Sequence, residues 1–476
     1  MNTVETLARN TAALLAANVL NLGLGLVYTV YVARFLGAAG FGTLSFALAF
    51  TGVFGVVADF GLNALATREI ARDRSLAAKY LNNVATIKIV AVVVTVAMIA
   101  GTINLLGGSQ QTIEVVYLFA LYVVFTSFAS LFYAVFQAFE KMEYQAIGIT
   151  LNSVLMVAGA LIGIHQHFGV TGFAVIYAVA AAAVLVYAFA ACVSKFVVPR
   201  PQINKDFQRD LLKEALPFGL SAMFITVYFY IDSIILFFMK GDIAVGWYNA
   251  AYRLVYALSF LPNLYFAAVY PVMSRLWLTS RSALGSAYGS SFKLMLAIIF
   301  PITIVTMLLA GKIVSLVYGE GYAASTAALQ ILIWGIFFAY LNWAHSTVLN
   351  ATNRQRVVAA IVFVSMVLNI GLNLFLIPRW SYIGASTAMV ATEFFNFTFL
   401  LWYARSIFRD RFSLYGGVKL VGSGALTALA AIYIARLSIV LAVVCAAAVY
   451  TAAIFLSGFF SKEERSMMRS VLPRIW

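Results

Sequence analysis

Long apolar runs, separated by short polar segments, follow one another along the whole chain. A helix of about 20 apolar residues crosses the hydrocarbon core of a bilayer. The first run is longer than the apolar part of a signal peptide and is interpreted as a membrane helix. The pattern predicts fourteen membrane-spanning helices, at residues 11–34, 41–66, 82–106, 113–139, 146–166, 171–197, 215–239, 249–277, 290–317, 325–349, 355–377, 383–405, 417–435 and 438–459.

Composition agrees with this pattern. Hydrophobic residues make up 63% of the 476 positions and charged residues only 10%. A soluble globular protein is about 45–50% apolar and about 25% charged. The composition therefore excludes a soluble globular protein and predicts an all-α polytopic membrane protein.

The basic residues lie mostly on one side of the predicted spans. Of 31 Lys and Arg residues, 24 fall on the side of the N-terminus, five on the opposite side, and Lys88 and Arg253 fall within spans. Cytoplasmic loops carry such an excess of Lys and Arg. We therefore expect a multi-pass protein of the cytoplasmic (inner) membrane with both termini in the cytoplasm. The net charge of +14 orients helices and meets anionic headgroups, so no nucleic-acid partner is expected.

The two halves of the chain resemble each other at an offset of about 205–213 residues, for example at 134–148 and 347–361 and at 169–179 and 381–391. An even number of spans per repeat gives parallel repeats related by an axis along the membrane normal. The pattern predicts two pseudo-symmetric six-helix lobes around a central cavity. The N-terminal lobe covers 1–197, a cytoplasmic linker 198–214, the C-terminal lobe 215–405, and two extra helices with a basic cytoplasmic tail 406–476.

Among the ionisable residues within predicted spans, five stand out: Asp59, Lys88, Asp232, Arg253 and Glu393. Such residues usually face a cavity or each other, and they mark functional sites. Each also has a structural interpretation. Lys88 and Arg253 are close enough to helix ends to extend to the membrane surface. Asp59 could pair with Arg68 and Asp232 with Arg253, whereas Glu393 lies deepest.

Amide side chains form a second polar set. Asn18 and Asn21 share one face of the first helix. Such amides can hydrogen-bond a polar substrate, and they also hold membrane helices together at about 0.6 kcal/mol on average. Both interpretations remain open from the residues alone.

Four stretches resemble the Wzx-type oligosaccharide flippases of the multidrug/oligosaccharidyl-lipid/polysaccharide flippase superfamily: RFLGAAGFGTLSFALAF (34–50), ADFGLNALATREIAR (58–72), YIDSIIL (230–236) and VGWYNAAYRLVYALSFLPNLYFAAVYPVMSRL (245–276). The resemblance extends over the full chain. It implies two lobes in a V around a hydrophilic lumen. It also implies transport, by alternating access, of a polyprenyl-diphosphate-linked oligosaccharide across the cytoplasmic membrane for O-antigen, capsule or exopolysaccharide biosynthesis.

The resemblance assigns possible roles to the polar residues. Arg253 and Lys88 would attract the diphosphate, since basic side chains bind phosphate through charge-assisted hydrogen bonds. Asn18 and Asn21 would contact the saccharide in the lumen. One or more of the carboxylates Asp59, Asp232 and Glu393 would bind a coupling proton or sodium ion. The other expected partners are the bilayer and polysaccharide polymerase or assembly proteins.

The residues do not favour an enzyme. The sequence has no Walker A motif, no HExxH and no nucleophile–base pattern, and His165, His167 and His345 form no metal-ligand pattern. No cofactor, metal or catalytic residue is therefore expected. The main alternative is an ion-coupled drug or metabolite antiporter of the same superfamily. A polysaccharide polymerase or ligase is less favoured because the outside loops are short, and a lipid II flippase because the first two helices carry few arginines.

Overall fold

The computed structural model describes residues 3–200, 202–407 and 414–460. Its regular elements are helices, which confirms the all-α prediction for these residues. In chain order they are α1 Thr3–Asp59, α2 Leu62–Arg72, α3 Ala77–Leu106, α4 Gln110–Ala138, α5 Met142–His165, α6 Val170–Lys195, α7 Lys205–Lys240, α8 Asp242–Ala257, α9 Phe260–Thr279, α10 Arg281–Tyr318, α11 Ser325–Ala351, α12 Gln355–Ile407, α13 Leu414–Ile434 and α14 Ile439–Leu456. The predicted basic tail beyond residue 460 lies outside the described residues.

Among the described residues, twelve helical segments are long and apolar enough to cross a membrane. Two of them, Ala16–Asp59 with 44 residues and Gln355–Ile407 with 53, are long enough for two crossings each. Each contains a kink with non-helical backbone, at Gly37 and at Ser381. Counting the segments on either side of each kink separately gives the fourteen crossings that the apolar pattern predicts.

Two predicted spans contain breaks that hydropathy does not show. The span at 41–66 breaks at Phe60 and Gly61, whose φ values of 42° and 80° are left-handed and cannot continue an α-helix. The span at 249–277 breaks before Phe260. Pro262 has no amide hydrogen for the carbonyl of Leu258, and the Tyr340 hydroxyl donates to that carbonyl at 2.5 Å instead.

Contacts divide the chain into two compact units, Met1–Gly246 and Trp247–Trp476. Helix α7 packs against α1 and α2 in the first unit, although the repeat pattern assigns it to the second lobe. Helix α7 begins at Lys205, within the predicted linker at 198–214. The Asn204 side chain accepts a hydrogen bond from the Phe207 amide at 3.1 Å and so caps the helix.

Left-handed residues recur at helix junctions with nearly the offset of the sequence repeat. The matched pairs are Gly37 and Gly241, Gly107 and Gly319, and Glu140 and Asn353. Each pair ends helices of the same rank in the two predicted repeats. These junctions support the duplication; the lobe boundaries drawn from the sequence remain predictions.

Two asparagines on α3 hold the segment that precedes α7. Asn82 Oδ1 accepts the Arg200 amide at 2.7 Å, and Asn83 Oδ1 accepts the Asn204 amide at 3.2 Å. The Thr86 hydroxyl donates to the carbonyl of Gln202 at 3.0 Å. The connection is therefore tied to α3 through its backbone.

The double variant Asn82→Ala/Asn83→Ala is expected to release this connection, since two backbone amides lose their acceptors and each such loss costs about 1–3 kcal/mol. Trypsin cleavage after Lys195 or Lys205 should become faster in detergent-solubilised protein. Asn104→Ala, an exposed asparagine on the same helix, is the control. Equal cleavage rates in the two variants would contradict the role of Asn82 and Asn83.

Candidate functional site

Lys88 and Asp59 form an ion pair inside the first unit. Lys88 Nζ lies 2.8 Å from Asp59 Oδ1, and the lysine side chain is fully buried while the aspartate side chain is 35% exposed. Lys88 also donates to the carbonyl of Ser127 at 2.8 Å and to its hydroxyl at 3.1 Å. The ammonium group thus has one ion-pair partner and two hydrogen-bond acceptors. The expectation that Lys88 extends to the membrane surface is wrong.

The pair sits where α1 ends, beside the break at Phe60 and Gly61. The Ser127 hydroxyl on α4 donates to the carbonyl of Ala58 at 3.2 Å. The Ser130 hydroxyl donates to Ser127 O, and the Asn63 amide donates to Ser130 Oγ, both at 2.8 Å. These bonds join the end of α1, α2 and α4 around the buried charge. Sequence reasoning missed these serines and Asn63, because small polar residues carry no distinct signal in an apolar helix.

Arg68 has other partners than Asp59. Its guanidinium lies 2.6 Å from Glu69 Oε1 and 3.0 Å from Glu214 Oε2, which places it between α2 and the start of α7. The interpretation of an Asp59–Arg68 pair is therefore wrong. The reason is the helix break, which turns Asp59 towards α3 and leaves Arg68 on the surface of α2.

The other first-unit candidates differ in exposure. Asn18 and Asn21 are both exposed on α1, and Asn21 Oδ1 accepts a hydrogen bond from the Ser153 hydroxyl on α5 at 2.6 Å. Asn21 thus joins two helices, as the structural interpretation of such amides expects. Asp232 on α7 is buried, with 1% of its surface exposed. Its pairing with Arg253, which lies in the second unit, remains a prediction.

Glu393 lies in a buried hydrogen bond of the second unit. Asn342 Nδ2 on α11 donates to Glu393 Oε2 at 2.8 Å and to the Glu393 carbonyl at 3.2 Å. Only 8% of the glutamate surface is exposed. Asn342 Oδ1 accepts no hydrogen bond from the described residues. The carboxylate is thus held by a neutral amide, and a small cation or a proton could add to this arrangement.

Two further buried hydrogen bonds lie on the helices that carry Asn342 and Glu393. His345 is one helical turn after Asn342, fully buried, and its Nδ1 lies 2.9 Å from the Tyr288 hydroxyl. The Ser365 hydroxyl donates to Asn396 Oδ1 at 2.5 Å. These pairs join α10, α11 and the two parts of α12. Buried polar groups in a membrane helix bundle are costly unless paired, so the network specifies how these helices pack.

Arg253 lies on α8 in the second unit and is half-buried. The rings of Tyr248, Tyr252 and Tyr256, each one turn apart, stack with centroids 5.8 Å apart along the same helix. Tyr256 at the end of this row is 49% exposed. Arg253 therefore lies on the same helix as a row of three stacked tyrosine rings, of which Tyr248 is buried and Tyr256 is exposed.

An apolar cavity of about 480 Å³ lies in the second unit between α10 and α14. Its wall includes Pro301, Ile302 and Val305 on α10, and Ala447 and Tyr450 on α14. Helix α14 belongs to the helix pair beyond the twelve of the duplication. Among the described residues no three His, Cys, Asp or Glu side chains group in a way that could hold a metal ion.

Fold and sites together define a multi-pass membrane protein with duplicated helices, buried ionisable residues and an apolar side cavity, which is the class of the membrane transporters. The model of the polysaccharide biosynthesis protein family matches residues 7–277, more than half of the chain. The chain belongs to this family. A second model, MatE, matches residues 217–375.

Individual proteins agree with this assignment. An uncharacterized membrane protein of Methanocaldococcus jannaschii is 26% identical over 238 residues, and the chain spans only about half of its length (48% of this chain, 47% of the relative). A putative O-antigen transporter of Escherichia coli K12 is 24% identical over 85% of this chain and 99% of its own. The lipid II flippase MurJ in an inward closed conformation superposes with a TM-score of 0.78 at 14% identity, over 93% of this chain and 98% of its own. This last likeness shows the fold.

Proposed function

We propose that this protein moves a polyprenyl-diphosphate-linked oligosaccharide from the inner to the outer leaflet of the cytoplasmic membrane by alternating access, for surface polysaccharide biosynthesis. Family membership and the E. coli relative named an O-antigen transporter support the substrate class. The observation that carries the proposal is the apolar cavity between α10 and α14. A lipid-linked substrate needs a place beside the polar path for its tail, which a water-soluble substrate does not.

The polar residues would serve the headgroup. Arg253, half-buried on α8, is the proposed cation for the diphosphate, whereas Lys88 is buried against Asp59 and Ser127. The tyrosine row beside Arg253 offers aromatic edges and hydroxyls to saccharide rings. Glu393 and Asp232 remain the proposed sites for a coupling proton or sodium ion, and Asp59 contributes through its pair with Lys88. On this proposal the protein is a transporter without enzymatic activity, and its termini lie in the cytoplasm.

The alternative is an ion-coupled drug or metabolite antiporter, which the MatE match at residues 217–375 favours. The two functions differ in their use of the cavity. A lipid tail gains little energy on leaving the bilayer for an apolar cavity, because both are hydrocarbon. The cavity would therefore act by positioning the tail, and filling it should disturb only the transport of a lipid-linked substrate.

The test is complementation of a deletion strain, with surface polymer and membrane-bound lipid-linked oligosaccharide both measured. The deletion is expected to lose polymer and accumulate the lipid-linked unit. Ala447→Trp, which fills the cavity, should complement poorly, whereas Ala448→Trp, an adjacent exposed position outside the cavity wall, should complement normally. Normal polymer in the deletion strain, together with altered drug or ion tolerance, would favour the antiporter.

A further inference from the structure

Gly42 and Gly246 occupy equivalent positions of the two predicted repeats, 204 residues apart, and they meet in the first unit. A methyl group on Gly42 would lie 1.9 Å from the carbonyl oxygen of Asp242, and one on Gly246 would lie 2.0 Å from that of Ala38. Ala38 and Asp242 are also 204 residues apart. The contact is thus reciprocal, and each glycine faces the backbone of the other's repeat.

A second close contact, between Gly61 and Gly219, lies at the C-terminal end of α1. A methyl group on Gly61 would lie 2.6 Å from the amide nitrogen of Gly219, and one on Gly219 would lie 2.7 Å from the carbonyl oxygen of Phe60. The opposing atoms are again backbone, which cannot rotate away as a side chain could. Neither contact tolerates a side chain without moving the two segments apart.

Between these pairs, α7 lies against the part of α1 that follows Gly37. The rings of Phe46 and Phe237 stack with centroids 3.7 Å apart. Gly52 faces only the Tyr230 ring, 3.1 Å from a methyl group built on it. The 19 positions from Gly42 to Gly61 correspond to about 28 Å of helix, close to the hydrocarbon thickness of about 30 Å. The two glycine pairs are therefore separated by about one hydrocarbon thickness.

We propose that these four glycines are positioning residues of the transport cycle. Gly42 and Gly246 close the outer end of the contact between α1 and the α7–α8 hairpin, and Gly61 and Gly219 close its inner end. Each pair separates when its own side of the membrane gains access to the substrate path. The proposal rests on the proposed function, since alternating access requires one end to open while the other stays closed.

Single alanine variants test the two ends, because each end is expected to increase labelling from its own side of the membrane. The reporter is Tyr230→Cys, midway along the contact, in a Cys192→Ala/Cys445→Ala background and labelled with a membrane-impermeant thiol reagent. Gly42→Ala and Gly246→Ala should raise labelling from outside several-fold, and Gly219→Ala should raise labelling from inside. Gly25→Ala on α1 and Gly101→Ala on α3 are the controls, since a methyl group at either position would meet nothing within 4 Å. Labelling that rises from the same side of the membrane in the variants of both ends, or that does not change in any of them, would overturn the proposal.

A disulfide supplies the second measurement. Phe46→Cys/Phe237→Cys is oxidised and formation of the disulfide is verified by gel mobility; transport by the oxidised protein should fall well below that of the same protein when reduced, and should recover on reduction. Undiminished transport by protein in which the disulfide has been verified would show that the contact never opens, and this outcome would refute the inference. If the wild-type protein fails to move the lipid-linked substrate while the alanine variants still shift labelling, the proposed function fails and the assignment of the glycines stands.

Discussion

Asp59→Ala is expected to destabilise the protein by about 3 kcal/mol, at the low end of the range for breaking a buried ion pair. The substitution leaves the Lys88 ammonium group, which is fully buried, without a counter-ion. Lys88→Met should cost clearly less, because the Asp59 carboxylate is 35% exposed and can turn to water. The two substitutions are therefore expected to differ in cost. Removing Asp59 leaves a fully buried charge without a partner, whereas removing Lys88 leaves a partly exposed one.

The apparent Tm in detergent, with protein abundance in the membrane, measures this asymmetry. The double variant Asp59→Asn/Lys88→Met should recover most of the loss, since it removes both charges together. Arg72→Ala is the control, because its ion pair with Glu69 is at the surface and contributes about 0.2–1 kcal/mol. The interpretation fails if Lys88→Met lowers the apparent Tm as much as Asp59→Ala does.

Glu393→Gln is expected to fold normally and to lose transport by about 10- to 100-fold, the equivalent of one charge-assisted interaction of about 1.5–3 kcal/mol. Glutamine keeps an oxygen that can accept the Asn342 amide, so the hydrogen bond at 2.8 Å survives. The substitution removes the charge and replaces one carboxylate oxygen with an amide group of similar size. A role in binding a coupling ion needs that charge, whereas a packing role does not.

Asn342→Ala is the complementary variant, since it retains the carboxylate and removes its amide partner. Transport per folded molecule should fall less in Asn342→Ala than in Glu393→Gln, although Asn342→Ala should be the less stable protein. Both quantities come from one complementation series in which polymer is normalised to protein abundance. Normal transport by Glu393→Gln would assign Glu393 a structural role, and the coupling ion would then bind elsewhere.

Much of the fold was predictable because membrane insertion follows local rules. Each span needs its own apolar run, and basic residues near the span ends bias its orientation. The fourteen crossings follow from these rules, including those separated by the kinks at Gly37 and Ser381. The breaks at Phe60–Gly61 and before Phe260 were not predictable, because hydropathy averages over a window and does not depend on backbone conformation.

The candidate site was likewise predictable only in part. All five ionisable candidates came from the sequence, since a charge in an apolar run is conspicuous. Their partners could not be predicted in this way. Asp59 contacts Lys88 instead of Arg68 because the helix breaks between Asp59 and Arg68. Glu393 is held by Asn342, a neutral residue 51 positions away. Partner choice depends on how helices pack, which no local pattern records.

The sequence by itself determined that the chain is a duplicated bundle of membrane helices, which residues carry charge within the spans, and which side carries the basic loops. These properties depend on hydrophobicity and charge along one dimension. Only the tertiary structure decided that the Lys88 ammonium group has its partners inside the first unit, that α7 packs with that unit, and that Gly42 contacts the segment of Gly246. Such contacts join residues far apart in the chain, and their geometry depends on backbone breaks and close approaches that small residues permit without any distinctive pattern.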